Sequence, residues 1–367
     1  MIIRNGLVFQ EEGKYRRQDI YIENHRIVRS RRDVTDLQEI DGTGLKVIPG
    51  LIDIHSHGAL GADFSDGDPE GLKKILRYQK RYGVTSYCPT SMTFSRKKLL
   101  EIMASVRELE ESEDQASVVG INMEGPFLSP FRRGAHREED IILPDVDFFR
   151  ACNEASGGKI RLVTVAPERK SAERFLKELK DEVVISLGHT NADYDRAKMA
   201  FEHGVSHVTH LYNAMAPFGH RKPGLVGAAF DSTHVRVELI GDGIHVHPSV
   251  VRSTFAMFGR ERVVLISDSM MAAGMKDGTY RLGGQKVTVQ EGKAVLSDGT
   301  IAGSAVNLFE CMKRTIAFGV PEEDAILAAT ANPAKSIGIF EKVGSVSPGK
   351  RADLLLVDQD LNLLRVI

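Results

Sequence analysis

Along most of the chain, short apolar runs alternate with longer stretches in which apolar residues recur every three or four positions. Eight of the short runs are VIPGLIDI, TSYCPTS, VVGINME, IRLVTVAP, EVVISLGH, SHVTHL, VRVELIGDG and RVVLISD. They are rich in Val and Ile and nearly unbroken, as expected of parallel strands covered on both faces. Helical patterns separate them, among them PEGLKKILRYQKRYG (69–83), SRKKLLEIMASVRELEES (95–112) and NADYDRAKMAFEHG, which stops at Gly204. Eight strand–helix repeats in about 220 residues predict a (β/α)8 TIM-like barrel. An open doubly wound sheet is the alternative, but no GxGxxG follows the first strand.

The two ends follow a different rhythm. IIRNGLVF, DIYIENHRIVR and LKVIPG alternate with period two and are broken by Gly and Asn, and GSVSPGKRADLLLVDQDLNLLRVI repeats that style. Neither end can bury a face alone. Residues 1–48 and 336–367 are therefore expected to form one small β-sandwich domain, with the barrel over 49–335. A block at 279–301 interrupts the repeat with hairpin-like strands and reads as an inserted β flap. Two helices, around 304–318 and 321–331, are expected to close the barrel.

The 367 residues are 42% hydrophobic and 27% charged, enough for a large core and too ordered a composition for disorder. Net charge is −2 (48 basic against 50 acidic residues), which gives no reason to expect nucleic acid as a partner. The three cysteines form no CxxC pair, and a reducing compartment suits them. No signal-peptide-like start and no apolar stretch of about 18 residues occurs, so a cytoplasmic protein without a membrane span is expected.

Active sites of such barrels lie at the C-terminal strand ends. Those ends carry His55 and His57, Glu124, His189, His210 and Asp268. A lone histidine at a strand end is usually a hydrogen-bonded structural group, and His25, His203, His207 and His234 are read that way. Six ligand-type residues at equivalent places point instead to a metal site. His55 and His57 are two apart on one strand, so both rings face one side. His189 and His210 come from adjacent strands. Nitrogen and oxygen donors of this mix suit Zn²⁺, Fe²⁺ or Mn²⁺.

PGLIDIHSHG resembles the opening motif of the amidohydrolase superfamily. The segments MEGPFLSPFRRGAH, SLGHTNADYD, THLYNAMAPFGHRKPGLVGAAFD, GDGIHV, ISDSMMAAG and IAGSAVNL, with the closing NPAKSIGI and GSVSPGKRADLLLVD, are similar to the N-acetylglucosamine-6-phosphate deacetylase family within it. The resemblance implies release of acetate from an amino sugar phosphate by metal-activated water. It implies that Glu124, His189 and His210 hold one divalent ion, Zn or Fe, and that His55 and His57 decide whether a second binds. It gives Asp268 the part of general base and acid, and His136 that of polarising the acetyl carbonyl. Ala135, Asn213, Ala214, Arg221, His245, Ile301, Ala302 and Gly303 match substrate-contacting positions. Arg221 matches an arginine that reaches across a homodimer interface in that family. INMEG and VTVAPE contain no lysine for a carboxylated bridge, which disfavours a dihydroorotase-like site. An amidohydrolase acting on a different amide or amine, and a non-catalytic metal-stabilised scaffold, are the competing expectations.

Overall fold

The computed structural model describes every residue except 37 and 108. Residue 108 belongs to the helix expected over 95–112 and residue 37 to the segment 1–48, so those two positions lie outside the described residues.

Eight parallel strands line up in chain order: β1 (Leu51–Ser56), β2 (Val84–Ser91), β3 (Ile121–Glu124), β4 (Ile160–Val165), β5 (Val184–Leu187), β6 (His207–Val208), β7 (Arg236–Ile240) and β8 (Val263–Ile266). Each pairs with the next, from β1 against β2 through β7 against β8. The seam between β8 and β1 is closed by other means. Asp268 N donates to His55 O at 2.9 Å, and the Ser267 hydroxyl donates to the Asp53 carboxylate at 2.5 Å. The sheet is thus a closed barrel, and its interior is a packed core that includes Ile52, Ile54, Leu162, Ile240, Val264 and Ile266. The doubly wound alternative is excluded by this closure.

Helices between the strands follow from local sequence. In Pro69–Arg81, Asp68 caps the amides of Glu70 and Gly71, Pro69 opens the first turn and Lys80 and Arg81 sit in the last. Leu72, Ile75, Leu76 and Gln79 form its buried face at helical spacing. The helix expected over 95–112 runs only over Arg96–Ala104. The acidic residues Glu110 and Glu111 would oppose the dipole at a longer helix's C-terminal end. After the eighth strand, Leu308–Ala317 and Glu322–Ala329 are helical as expected, and a third short helix, Ala331–Ser336, follows.

The chain ends meet in one seven-stranded sheet. Ile2–Phe9 is its hub, pairing with Tyr15–Glu23 and, along different halves, with Glu39–Asp41 and Lys46–Pro49. Leu354–Val357 from the C-terminus adds to Lys46–Pro49 and carries Leu363–Val366 outside it. Ile3, Val8, Ile20, Ile22, Val47 and Leu354 form its own apolar cluster. The inserted flap is a four-stranded antiparallel sheet over Gly278–Leu282, Gln285–Gln290, Lys293–Val295 and Ile301–Ser304. It runs three residues past the expected end because its last strand is tied to the barrel. Ser304 N donates to Asp268 O at 2.8 Å, and Met270 N donates to Ser304 O at 2.9 Å.

Candidate active site

The C-terminal strand ends bring the sequence-predicted residues together. Glu124 is the last residue of β3, His55 lies within β1, and His57, His189, His210 and Asp268 follow their strands by one or two residues. Three of them leave the strand with a left-handed backbone, at φ of 46° for His189, 25° for His210 and 47° for Asp268. Non-glycine residues rarely adopt this conformation, and it turns each side chain from the barrel wall toward the axis.

Glu124 is the centre of the cluster and is buried. Its Oε1 lies 3.1 Å from His189 Nε2, 2.9 Å from His210 Nε2 and 3.5 Å from His55 Nε2. Its Oε2 lies 3.4 Å from His57 Nε2 and 3.3 Å from His136 Nε2. Asp268 Oδ1 faces His57 Nε2 at 3.2 Å and His55 Nε2 at 3.7 Å. Burial alone would raise the pKa of Glu124, but His55, His189 and His136 outweigh it and hold it well below the usual range. Asp268 is likewise held low, burial being outweighed by its bond to His57 and the charge of His55.

What each imidazole meets at Nδ1 separates the rings into two kinds. His57 Nδ1 faces the Thr90 carbonyl at 3.1 Å, His189 Nδ1 the Arg132 carbonyl at 2.8 Å, and His55 Nδ1 the Glu238 carboxylate at 2.8 Å. All three are acceptors, so each Nδ1 carries a proton, and each ring in its neutral form offers an Nε2 lone pair inward. Although burial opposes it, Glu238 and Glu124 raise the pKa of His55, and Asp268 and Glu124 that of His57, so an ion taken up there would displace a proton. His136 is the reverse. The backbone N–H of Thr93 donates to its Nδ1 at 3.1 Å, so Nε2 must carry the proton. Burial, and then the neighbouring His189, push the His136 pKa down to about 4 and keep the ring neutral. Although Glu124, His136 and His189 stand close enough together to share an ion, His136 has no inward lone pair to offer. It is a hydrogen-bond donor.

The remaining donors fit a divalent ion. His189 and His210 point their Nε2 atoms at each other at 3.0 Å beside Glu124 Oε1. His55 Nε2 is fully buried without a hydrogen-bond partner, a deficit that coordination would remove. Two groupings follow, His55 with His57 and Asp268, and His55 with Glu124 and His210. Separations near 3 to 3.5 Å between donors match the edges of a tetrahedron whose metal–ligand arms are about 2.0–2.1 Å. Nitrogen and carboxylate donors suit Zn²⁺ or Fe²⁺.

Above this cluster lies a cavity of about 270 Å³. Ala135, Asn213, Ala214, His245, Ile301 and Gly303 line it. Gly303 has φ of 71° and passes so close to Asp268 O that a Cβ there would lie 3.1 Å away. Gln285 of the flap donates to Ala135 O at 2.6 Å, tying the flap to the His136 loop. His245 Nδ1 meets Asp242 Oδ2 at 2.6 Å, and although burial opposes it, this bond raises the His245 pKa above its ordinary value. Two expected contacts lie elsewhere in this subunit. Ala302 alternates away from the cavity into the flap's own apolar cluster, as strand periodicity requires. Arg221 is exposed on the loop before the helix Gly224–Phe230 and does not line the cavity.

One residue read as ordinary is not. His207 is fully buried between Glu238 and Ser336, bonded to both. Glu238, in the middle of β7, and Asp242 drew no attention in the sequence. Their only signal was a carboxylate inside an otherwise apolar strand, and at the end of one, in VRVELIGDG. Among the described residues, no helix is long and apolar enough to cross a membrane.

Residues 46–367 match the Amidohydrolase family. N-acetylglucosamine-6-phosphate deacetylase from Bacillus subtilis is 41% identical over 327 residues, covering 88% of this chain and 83% of the relative. N-acetylgalactosamine-6-phosphate deacetylase from Escherichia coli O157:H7 is 34% identical, covering 87% and 85%. Among solved structures, a mutant of N-acetyl-D-glucosamine-6-phosphate deacetylase from Mycobacterium smegmatis in complex with N-acetyl-D-glucosamine-6-phosphate superposes with a TM-score of 0.91 at 31% identity, covering 100% of this chain and 97% of that one.

Proposed function

Because this chain belongs to the amidohydrolase family, we propose that it hydrolyses N-acetyl-D-glucosamine 6-phosphate to D-glucosamine 6-phosphate and acetate. The observation that carries this reading is the sorting of the imidazoles. The acceptors at Nδ1 leave His55, His57 and His189 with Nε2 for an ion, whereas the Thr93 amide leaves His136 with an Nε2–H, the donor a developing acetyl oxyanion needs. The deacetylase relatives support the choice of substrate class.

Glu124, His189 and His210 would hold one divalent ion, and His55 and His57 with Asp268 would form the place for a second. An ion held by Glu124, His189 and His210 would supply a water whose pKa is lowered toward about 7. Asp268, ionised, accepts the proton of that attacking water. His136 donates its Nε2–H to the acetyl oxygen as negative charge develops on it. Asp268 then delivers the proton to the sugar nitrogen as the C–N bond breaks, leaving acetate and a free amine. Metal count, and not reaction type, depends on the HxH pair.

Substrate is oriented by Asn213, Ala214 and His245 and by the backbone of Ala135 and of Ile301–Gly303. Arg221 of the partner subunit supplies a guanidinium for the phosphate, which makes the working unit a homodimer, and the enzyme is cytoplasmic. A guanidinium suits phosphate through paired charged hydrogen bonds.

Acetate release is the test, measured on metal-analysed protein with N-acetylglucosamine 6-phosphate, its galacto epimer and unphosphorylated N-acetylglucosamine. Turnover of a phosphorylated sugar, far above that of the unphosphorylated one, is expected. Failure of the metal-loaded protein to release acetate from either phosphorylated sugar would overturn the reading.

A further inference from the structure

Beneath the cluster, a buried chain of hydrogen bonds runs down the barrel. Glu238, fully buried on β7, accepts from His55 Nδ1 at 2.8 Å through Oε2. The same oxygen accepts from the backbone N–H of His210 at 3.1 Å. Its other oxygen meets His207 Nε2 at 3.1 Å. His207 Nδ1 then meets the Ser336 hydroxyl at 2.7 Å. Ser336 ends the short helix Ala331–Ser336, which carries most of the NPAKSIGI segment. That helix is fastened beneath β8, where Asn332 Nδ2 donates to the carbonyls of Arg260 and Val263 at 2.7 and 2.8 Å. Ala334, Ile337 and Ile339 pack against the inner wall of the barrel.

We infer that Glu238 is the positioning residue of His55 and that Ser336, through His207, positions Glu238. The physical reason is the direction of each bond. An ionised carboxylate only accepts, so it holds the His55 proton on Nδ1 and leaves Nε2 free toward Glu124 and Asp268. Without it the ring has no partner at Nδ1 and two tautomers compete. His207, with both nitrogens engaged, cannot turn, and its bond to Ser336 fixes the angle from which it holds Glu238. Binding at the HxH place is thereby tied to the underside of the barrel. The same carboxylate oxygen pins the His210 amide, so the geometry of both halves of the cluster converges on one buried residue. This inference rests on reading His55 as a ligand, and the experiment separates the two.

Full-length protein labelled with ¹⁵N at histidine is stripped of metal, and two-bond ¹H–¹⁵N correlations report each ring's tautomer. The same samples are then titrated with Co²⁺, followed by its absorption. Wild type is expected to show His55 protonated at Nδ1 and to take up Co²⁺ in two steps. Glu238→Gln should lose that single tautomer, and the step assigned to His55 and His57 should weaken by about 10–100-fold, the usual effect of removing such a partner. Ser336→Ala, a small change that keeps the protein folded should Glu238→Gln prove unstable, should shift the His55 ring signals and weaken the same step a few-fold. An unchanged His55 tautomer together with unchanged Co²⁺ uptake in these variants would overturn the inference. Wild type taking up no second Co²⁺ would instead overturn the reading of His55 as a ligand, and the His55 tautomer would still decide the role of Glu238.

Discussion

The inner wall of the barrel mouth and the loop over 212–223 both present polar side chains but are built in opposite ways. On the wall, His55, His57, His136, His189, His210, Glu124 and Asp268 are buried, and all but one of the rings have Nδ1 fixed by a named partner. On the loop, Phe218 is 50% exposed and Arg221 faces solvent. The wall can be complete inside one subunit because its charges hold one another in place. The loop leaves recognition of a distant group to whatever meets it. Bond cleavage should therefore be insensitive to the loop, and phosphate recognition insensitive to the tautomers of the wall.

The largest expected effect breaks the wall at its base. Asp268→Asn keeps the volume and loses proton acceptance, so kcat should fall by about 10²–10⁴-fold, with thermal unfolding by circular dichroism showing a folded protein. Next, His136→Asn and His189→Asn should differ in kind. The first should cut kcat by about 10²–10³-fold with bound metal unchanged, and the second should lower the metal content itself, as measured by elemental analysis. Equal metal loss in both would erase the distinction drawn from Thr93 and Arg132.

Arg221→Ala probes the loop. Losing charge-assisted hydrogen bonds worth about 1.5–3 kcal/mol should raise KM for the phosphorylated sugar by about 10–100-fold, with kcat and the KM of the unphosphorylated sugar nearly unchanged. The smallest effect is one of pH. Asp242 raises the His245 pKa, so the protonated ring persists to higher pH and is lost as pH rises through that raised value. Asp242→Asn should therefore move the rise in KM to lower pH, because burial alone pushes a histidine down. KM measured across pH in both proteins checks the direction.

Much of this was legible in the sequence, for physical reasons. Strands buried on both faces cannot avoid continuous apolar runs, so the eight-fold repeat showed, and ligands at strand ends showed because polar residues interrupt those runs at matching places. The partners behind the ligands did not show. Thr90, Thr93 and Arg132 act through backbone atoms, which carry no residue code. His207 sits before a strand end like any structural histidine, and its role depends on Ser336, over 100 residues away in the chain. The contact of Ser304 with Asp268 is a matter of tertiary register, which is why the flap was expected to stop earlier.

The left-handed backbones of His189, His210 and Asp268 carry a consequence for anyone who would engineer this protein. Each such conformation costs a side-chain-bearing residue about 1 kcal/mol that glycine does not incur. A search for sturdier variants, ranked by melting temperature alone, would be drawn to these three positions and would replace them. It would enrich for proteins that survive heating and have lost the chemistry, so selection for robustness here must be coupled to a readout of turnover.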